Sequence, residues 1–229
     1  MVSGSKSRRT ALRVSGLVLF VGAVVATGVL APDLIGYMRF SRAVEQQAVI
    51  DETRGGPWPQ LFQVCAPCHG ATGTSLNSNY PDLAGQPATY LAEQLKAFAK
   101  GSRSDPAMSP LAAALSEKEI ETLSRYFSIQ RNEVDSSFNI DPDQVAEGEA
   151  LIEREGCTAC HGEKLGGMDT FPGLAGQSAP YLSNQLRAYQ SDVRVDPSGA
   201  MAPIARALSS DEIEAIAHYL NSLTPSAPQ

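Results

Sequence analysis

The chain has 229 residues, 43% of them hydrophobic and only 7% aromatic, with a formal net charge of −7. The charge is uneven: residues 1–56 sum to +3, residues 57–130 to −1 and residues 131–229 to −9. An acidic second half argues against nucleic acid as a partner and favours a basic docking face on a protein partner. The length allows one or two domains.

Lys6, Arg8, Arg9 and Arg13 precede an uncharged run from Val14 to Pro32. Nineteen such residues are enough to cross a bilayer as a helix. Basic residues on the leading side keep that end in the cytoplasm and place the rest of the chain outside. A cleaved signal peptide is the alternative, with Val24-Val25-Ala26 as a small-residue cleavage site. Cleavage there leaves a long apolar mature N-terminus, so the length favours an uncleaved anchor over residues 1–36. Residues 37–56 read as a polar, partly helical tether that ends at Gly55-Gly56-Pro57.

Next comes Cys65-Ala66-Pro67-Cys68-His69, and further on Cys157-Thr158-Ala159-Cys160-His161. C-x-x-C-H is the attachment signature of c-type haem: two thiols form thioethers to the vinyl groups, and the following His ligates the iron. These strings use all four cysteines. A zinc site or a thioredoxin-like pair leaves both histidines idle, and the latter needs a βαβ setting that the chain lacks.

The two halves are copies. Pro81-Asp82-Leu83-Ala84-Gly85-Gln86 recurs as Pro172-Gly173-Leu174-Ala175-Gly176-Gln177, and Tyr90-Leu91 with Gln94-Leu95 recurs as Tyr181-Leu182 with Gln185-Leu186. Leu115-Ser116 with Glu119-Ile120 recurs as Leu208-Ser209 with Glu212-Ile213. The offset stays between 91 and 93 residues, which indicates repeated modules. The expected domains are 57–130 and 144–229, joined by a linker over 131–143.

Each module reads as all-α. Leu91, Leu95 and Phe98, and again Leu182, Leu186 and Tyr189, lie on one helical face. Ser116 and Glu119 form a capping box that opens a helix from Glu117 to about Ile129. Ser209 or Ser210 caps its counterpart. The second copy has a leading helix over about Gln144 to Glu155, whereas that of the first copy is shortened or displaced. Met108 and Met201 occupy matching loops about forty residues after their histidines. A thioether suits haem iron and raises its potential, so these two are the expected sixth ligands. Met168 lies too near His161 to reach the opposite haem face. With three histidines in the chain, His ligation on both faces of both haems is impossible; the spare, His218, reads as a surface residue.

Through these motifs, Pro57 to Leu223 closely resembles the dihaem cytochrome c4 family, built from two class I cytochrome c domains. The resemblance implies two small all-α domains about a pseudo-twofold axis, here after an N-terminal transmembrane helix. It implies two covalently bound haems c held by Cys65, Cys68, His69 and Met108, and by Cys157, Cys160, His161 and Met201. It further implies periplasmic electron transfer, commonly from a bc1-type complex to a terminal oxidase, while the apolar N-terminal run places the haem domains on the periplasmic side of the bacterial cytoplasmic membrane. The alternatives are an electron-transfer subunit of a dehydrogenase or oxidase, and a dihaem enzyme (a peroxidase or a thiosulfate-oxidising cytochrome) with one open iron. Two filled axial positions argue against catalysis. In such folds the carbonyls of Pro81 and Pro172 accept from the haem histidines. Arg103 and Arg194 match a basic position that faces either a haem propionate or solvent. Two departures stand out: family members are usually released into the periplasm, and Asp192 replaces Gly101 in the second copy.

Overall fold

The computed structural model describes Met38, Ser41, Arg42, residues 60–132 and residues 139–225. The proposed anchor and almost all of the tether lie outside the described residues; Met38, Ser41 and Arg42 are helical. No helix among the described residues is long and apolar enough to cross a membrane.

The first module opens with a 3-10 turn, Leu61–Val64, followed by α1 (Ala66–His69), α2 (Ala88–Lys100), α3 (Met108–Ala113) and α4 (Glu117–Ser128). The second has α5 (Pro142–Arg154), α6 (Thr158–His161), α7 (Ala179–Gln190), α8 (Met201–Ala207) and α9 (Ser210–Ser222). The only extended pairing among the described residues is an isolated bridge between Met168 and Phe171.

Local chemistry sets the helix ends. Ser116 and Glu119 form the expected capping box, and in the second copy the cap is Ser209, paired with Glu212. Each box satisfies two otherwise orphaned N–H groups. Asp141 caps α5 by accepting from the Asp143 N–H. That helix begins two residues before the expected Gln144, because Pro142 is preset for the first helical position. Helix α2 ends at Gly101 with φ +74°, while Asp192 holds the same left-handed turn at φ +58° and pairs with Arg206.

The apolar stripes pack as their spacing predicts. Ile120, Leu123 and Phe127 are buried on α4, as are Ile213, Ile216 and Leu220 on α9. In each module the last helix packs against the element that leads into the haem motif, the 3-10 turn in the first and α5 in the second. In the second module α5 crosses it closely at Gly148, where an added Cβ would sit 2.1 Å from the Ala215 carbonyl oxygen and 2.7 Å from the Tyr219 Cβ. In the first module Phe62 stacks on Tyr126 of α4, with ring centroids 4.3 Å apart. The spare histidine is a fastening: the Asp141 N–H donates to His218 Nδ1, tying the start of α5 to α9.

Gly148→Ala tests the crossing. In an exposed helix this change gains up to about 1 kcal/mol in propensity. Here overpacking wins, and a net loss of about 1–3 kcal/mol is expected in denaturant titrations of the haem-loaded protein. Unchanged or raised stability would show that the helices are not in contact at this point.

Candidate functional site

Each site begins with the turn that presents its cysteines. Cys65 and Cys157 are half-buried, Cys68 and Cys160 are exposed, and all four are free thiols. Burial, and then the neighbouring Cys68, pushes the Cys65 thiol up to about 11. Burial and the nearby Glu155 likewise raise Cys157. Protonated thiols are poor zinc ligands. The two pairs are not brought together: among the described residues no three His, Cys, Asp or Glu side chains form a metal-binding group.

The one-turn helices α1 and α6 end in His69 and His161, both buried. His69 Nδ1 lies 2.9 Å from the Pro81 carbonyl and His161 Nδ1 lies 2.8 Å from that of Pro172. A carbonyl can only accept, so Nδ1 carries the proton and Nε2 keeps its lone pair. Burial lowers both imidazoles and keeps them neutral; the carbonyl bonds and, at His69, the Asp105 carboxylate oppose it in part. A neutral imidazole with a free Nε2 and a fixed ring is ready to ligate iron.

The proline loops are held from inside each module. The N–H groups of Leu83 and Ala84 bond the Gly73 carbonyl, and that of Gly85 bonds Phe127 on α4. Leu174, Ala175 and Gly176 repeat this with Leu165 and Leu220. Tyr80 and Phe171, just before the two prolines, set ring edges against His69 and His161 at 6.2 Å and 6.3 Å. An aromatic residue before each proline is visible in the sequence but has no meaning there until the loop is folded.

Met108 and Met201 are half-buried at the first positions of α3 and α8. Asp105 Oδ1 accepts from the Met108 N–H at 2.8 Å, and Asp196 Oδ1 accepts from that of Met201 at 3.1 Å. Burial would raise the Asp196 carboxyl, but hydrogen bonds from Ser198 and from the Met201 and Ala200 N–H groups hold it below its usual value. These aspartates position both methionine loops, and the repeated Asp-Pro before each methionine is their sequence signal. The second loop is two residues longer between Asp and Met, and Gly199 turns there at φ +69°.

Between the modules lies a seam of paired polar groups. Arg103 bonds Gln94 of its own module, and Tyr181 and Gln185 of the other. Arg194 bonds Gln185 of its own module, and Tyr90 and Gln94 of the other. Arg194 is only 7% exposed, so a solvated role is ruled out for it. Each guanidinium also covers an aromatic face of its own module, Phe98 or Tyr189. Burial raises the Tyr181 phenol, but the two neighbouring guanidiniums outweigh this and hold it below its usual value. The hydrogen-bond partners of the two cations are amides and phenols rather than carboxylates, so the seam carries uncompensated positive charge. That charge suits the carboxylates of a haem, and with the free thiols and the neutral, anchored histidines it makes the residues present a fit for two c-type haems.

Known proteins agree with this architecture. The family profile described as "Cytochrome c" matches residues 145–224, and that described as "Cytochrome C oxidase, cbb3-type, subunit III" matches residues 60–127. The "Thiosulfate dehydrogenase electron acceptor" of Stutzerimonas stutzeri is 39% identical over 179 residues, covering 73% of this chain and 82% of that protein. The "Cytochrome c4" of Pseudomonas aeruginosa is 37% identical over 171 residues, covering 70% and 84%. The crystal structure of reduced recombinant cytochrome c4 from Pseudomonas stutzeri superposes with a TM-score of 0.65 at 33% identity, covering 71% of this chain and 94% of that one.

Proposed function

From its membership of the dihaem cytochrome c4 family, which makes the chain an electron-transfer cytochrome, we propose that it is a membrane-anchored carrier of single electrons between respiratory complexes. The observation that supports this reading is that both modules repeat the same two elements: a buried, neutral histidine anchored through Nδ1, and a methionine whose N–H is held by an aspartate at the start of a short helix.

In this reading Cys65, Cys68, Cys157 and Cys160 hold two haems c covalently. His69 with Met108, and His161 with Met201, would ligate the two irons. The haems supply one-electron chemistry at a potential that the axial ligands set. The protein's own residues keep that chemistry simple. Pro81 and Pro172 fix the ring orientation of the histidines, Asp105 and Asp196 hold the methionine segments, and two such ligands per iron would leave no coordination position for a substrate. Arg103 and Arg194 offer positive charge that haem propionates would neutralise. The apolar run from Val14 to Pro32 keeps the modules at the outer face of the cytoplasmic membrane, near a bc1-type complex and a terminal oxidase.

A second reading concerns the donor. The relative in Stutzerimonas stutzeri is named as an electron acceptor of thiosulfate dehydrogenase, and so is a protein of Thiomonas intermedia at 36% identity. The same carrier then takes its electrons from a dehydrogenase rather than from a quinol-oxidising complex. Mixing the oxidised protein with each donor and comparing rates of reduction separates the two.

The carrier reading is tested by the absorption spectrum of the purified oxidised protein. The weak far-red Met-to-iron charge-transfer band is expected at the intensity of two haems per chain. Intensity for one haem would mean an open or differently ligated iron and would turn attention to enzymatic chemistry there.

A further inference from the structure

The glutamines that close the two P-x-L-A-G-Q strings are buried, Gln86 at 7% exposure and Gln177 at 4%, and both reach across the seam. The Asp82 N–H donates to Gln177 Oε1 at 2.9 Å, and Gln177 Nε2 donates to the Asp82 carbonyl at 2.9 Å. The mirror contact has the Gly173 N–H donating to Gln86 Oε1, and Gln86 Nε2 donating to the Gly173 carbonyl, each at 2.9 Å. Asp82 follows Pro81 and Gly173 follows Pro172. The N–H that each glutamine Oε1 accepts from therefore belongs to the peptide unit whose carbonyl accepts from the haem histidine of the opposite module, while Nε2 holds the carbonyl of the next unit.

We propose that Gln86 and Gln177 are cross-domain positioning residues that set the strength of the histidine ligand, and so the haem potential, in the opposite module. The inference rests on the reading of His69 and His161 as iron ligands. One continuous chain of hydrogen bonds runs from His69 Nδ1–H to the Pro81 carbonyl, and through the same peptide to the Asp82 N–H and Gln177 Oε1. His161, Pro172, Gly173 and Gln86 form the second. A peptide that donates through its N–H carries more negative charge on its oxygen, and hydrogen bonds in series strengthen one another away from water. A stronger acceptor at Nδ1 makes Nε2 more basic. Greater basicity favours the ferric state and lowers the potential.

A fastening role alone does not account for the choice of target. Other main-chain groups take contacts across the seam, at Ser78 and Asp169, yet in both copies the glutamine takes the N–H of the peptide that bonds the histidine. The residue after proline is Asp in one copy and Gly in the other, so the backbone is what is recognised. The amide orientation is dictated as well, since only Oε1 can accept from an N–H and only Nε2 can donate to a carbonyl. Each module thus reaches full ligand strength only when docked on the other.

The test uses Gln177→Leu and Gln86→Leu in the full-length, haem-loaded protein, with both midpoint potentials followed by redox titration of resolved haem-methyl NMR signals. Gln177→Leu is expected to raise the potential of the first-module haem and leave the second in place; Gln86→Leu is expected to do the reverse. A shift in the module carrying the substitution, equal shifts in both modules, or no shift overturns the proposal. A measurement on the unaltered protein stands if a variant does not fold. In the fully reduced, diamagnetic state, a scalar coupling across the hydrogen bond is expected between the Asp82 amide nitrogen and the Gln177 side-chain carbonyl carbon, and its absence overturns the relay. The two-haem charge-transfer band reports separately on the ligand reading: a full band with unmoved potentials defeats the relay and leaves the carrier intact.

Discussion

Replacing Met108 or Met201 by alanine is expected to remove that haem's share of the far-red charge-transfer band and to lower its potential by some tenths of a volt, within the ~0.8 V range that axial ligands span. A thioether is a soft ligand that favours ferrous iron; without it the ferric state gains and the sixth position opens. Carbon monoxide is then expected to bind the reduced form at the altered haem and not at the other. The fold should tolerate either change. Both methionines stand at the first position of a short helix, where alanine is a good helix former and the Asp105 or Asp196 contact to the backbone N–H survives. The effect is therefore chemical rather than structural. An unchanged spectrum in either variant would remove that methionine from the ligand set.

Arg194→Ala is expected to cost about 3 kcal/mol, the worth of one to two hydrogen bonds to a charged group. Arg194 bonds Gln185, Gln94 and the Tyr90 hydroxyl at 2.7 to 3.2 Å and covers the Tyr189 ring at 4.8 Å. Its partners are buried or half-buried, so their lost bonds are only partly replaced by water. Arg103→Ala is expected to cost less, because Arg103 is half-buried rather than buried. Arg194→Lys should not restore stability, since an ammonium cannot reproduce the flat fork that serves two amide oxygens and a phenol. Thermal unfolding of the haem-loaded variants checks the ranking. Equal and small losses for both arginines would mean that the seam is held elsewhere, for instance by Gln86 and Gln177. The two glutamines and two arginines also separate by readout: the arginine variants should loosen the seam, while each glutamine variant should shift one potential.

Much of the single module is legible along the chain. Attachment of a c-type haem needs two thiols and a histidine within five residues, so its chemistry is contained in a local string. Helices announce themselves by a period of 3.6 residues, and capping boxes by Ser and Glu three apart. The leading helix of the second copy and the stripe on α4 fall where those patterns put them, whereas the methionines, expected in loops, open the short helices α3 and α8. Duplication is equally plain, since it needs only the chain compared with itself.

What the chain by itself determined is thus the content of each half: its helices, its cysteines and histidine, its candidate methionine and its second copy. The tertiary structure alone decided which way the remaining polar repeats face. Tyr80 and Phe171, Asp105 and Asp196 have local partners whose meaning appears only once the loops are closed. Gln86, Gln177, Arg103 and Arg194 have the same neighbours in sequence whether they point to solvent, to a haem or to another domain. Their partners across the seam lie 78 to 104 residues away. Local periodicity carries no information over such a separation, because the contacts arise from docking one copy of the motif against the other. Gln177 therefore reads along the chain as the end of a turn, and in the fold as the partner of the peptide that holds His69.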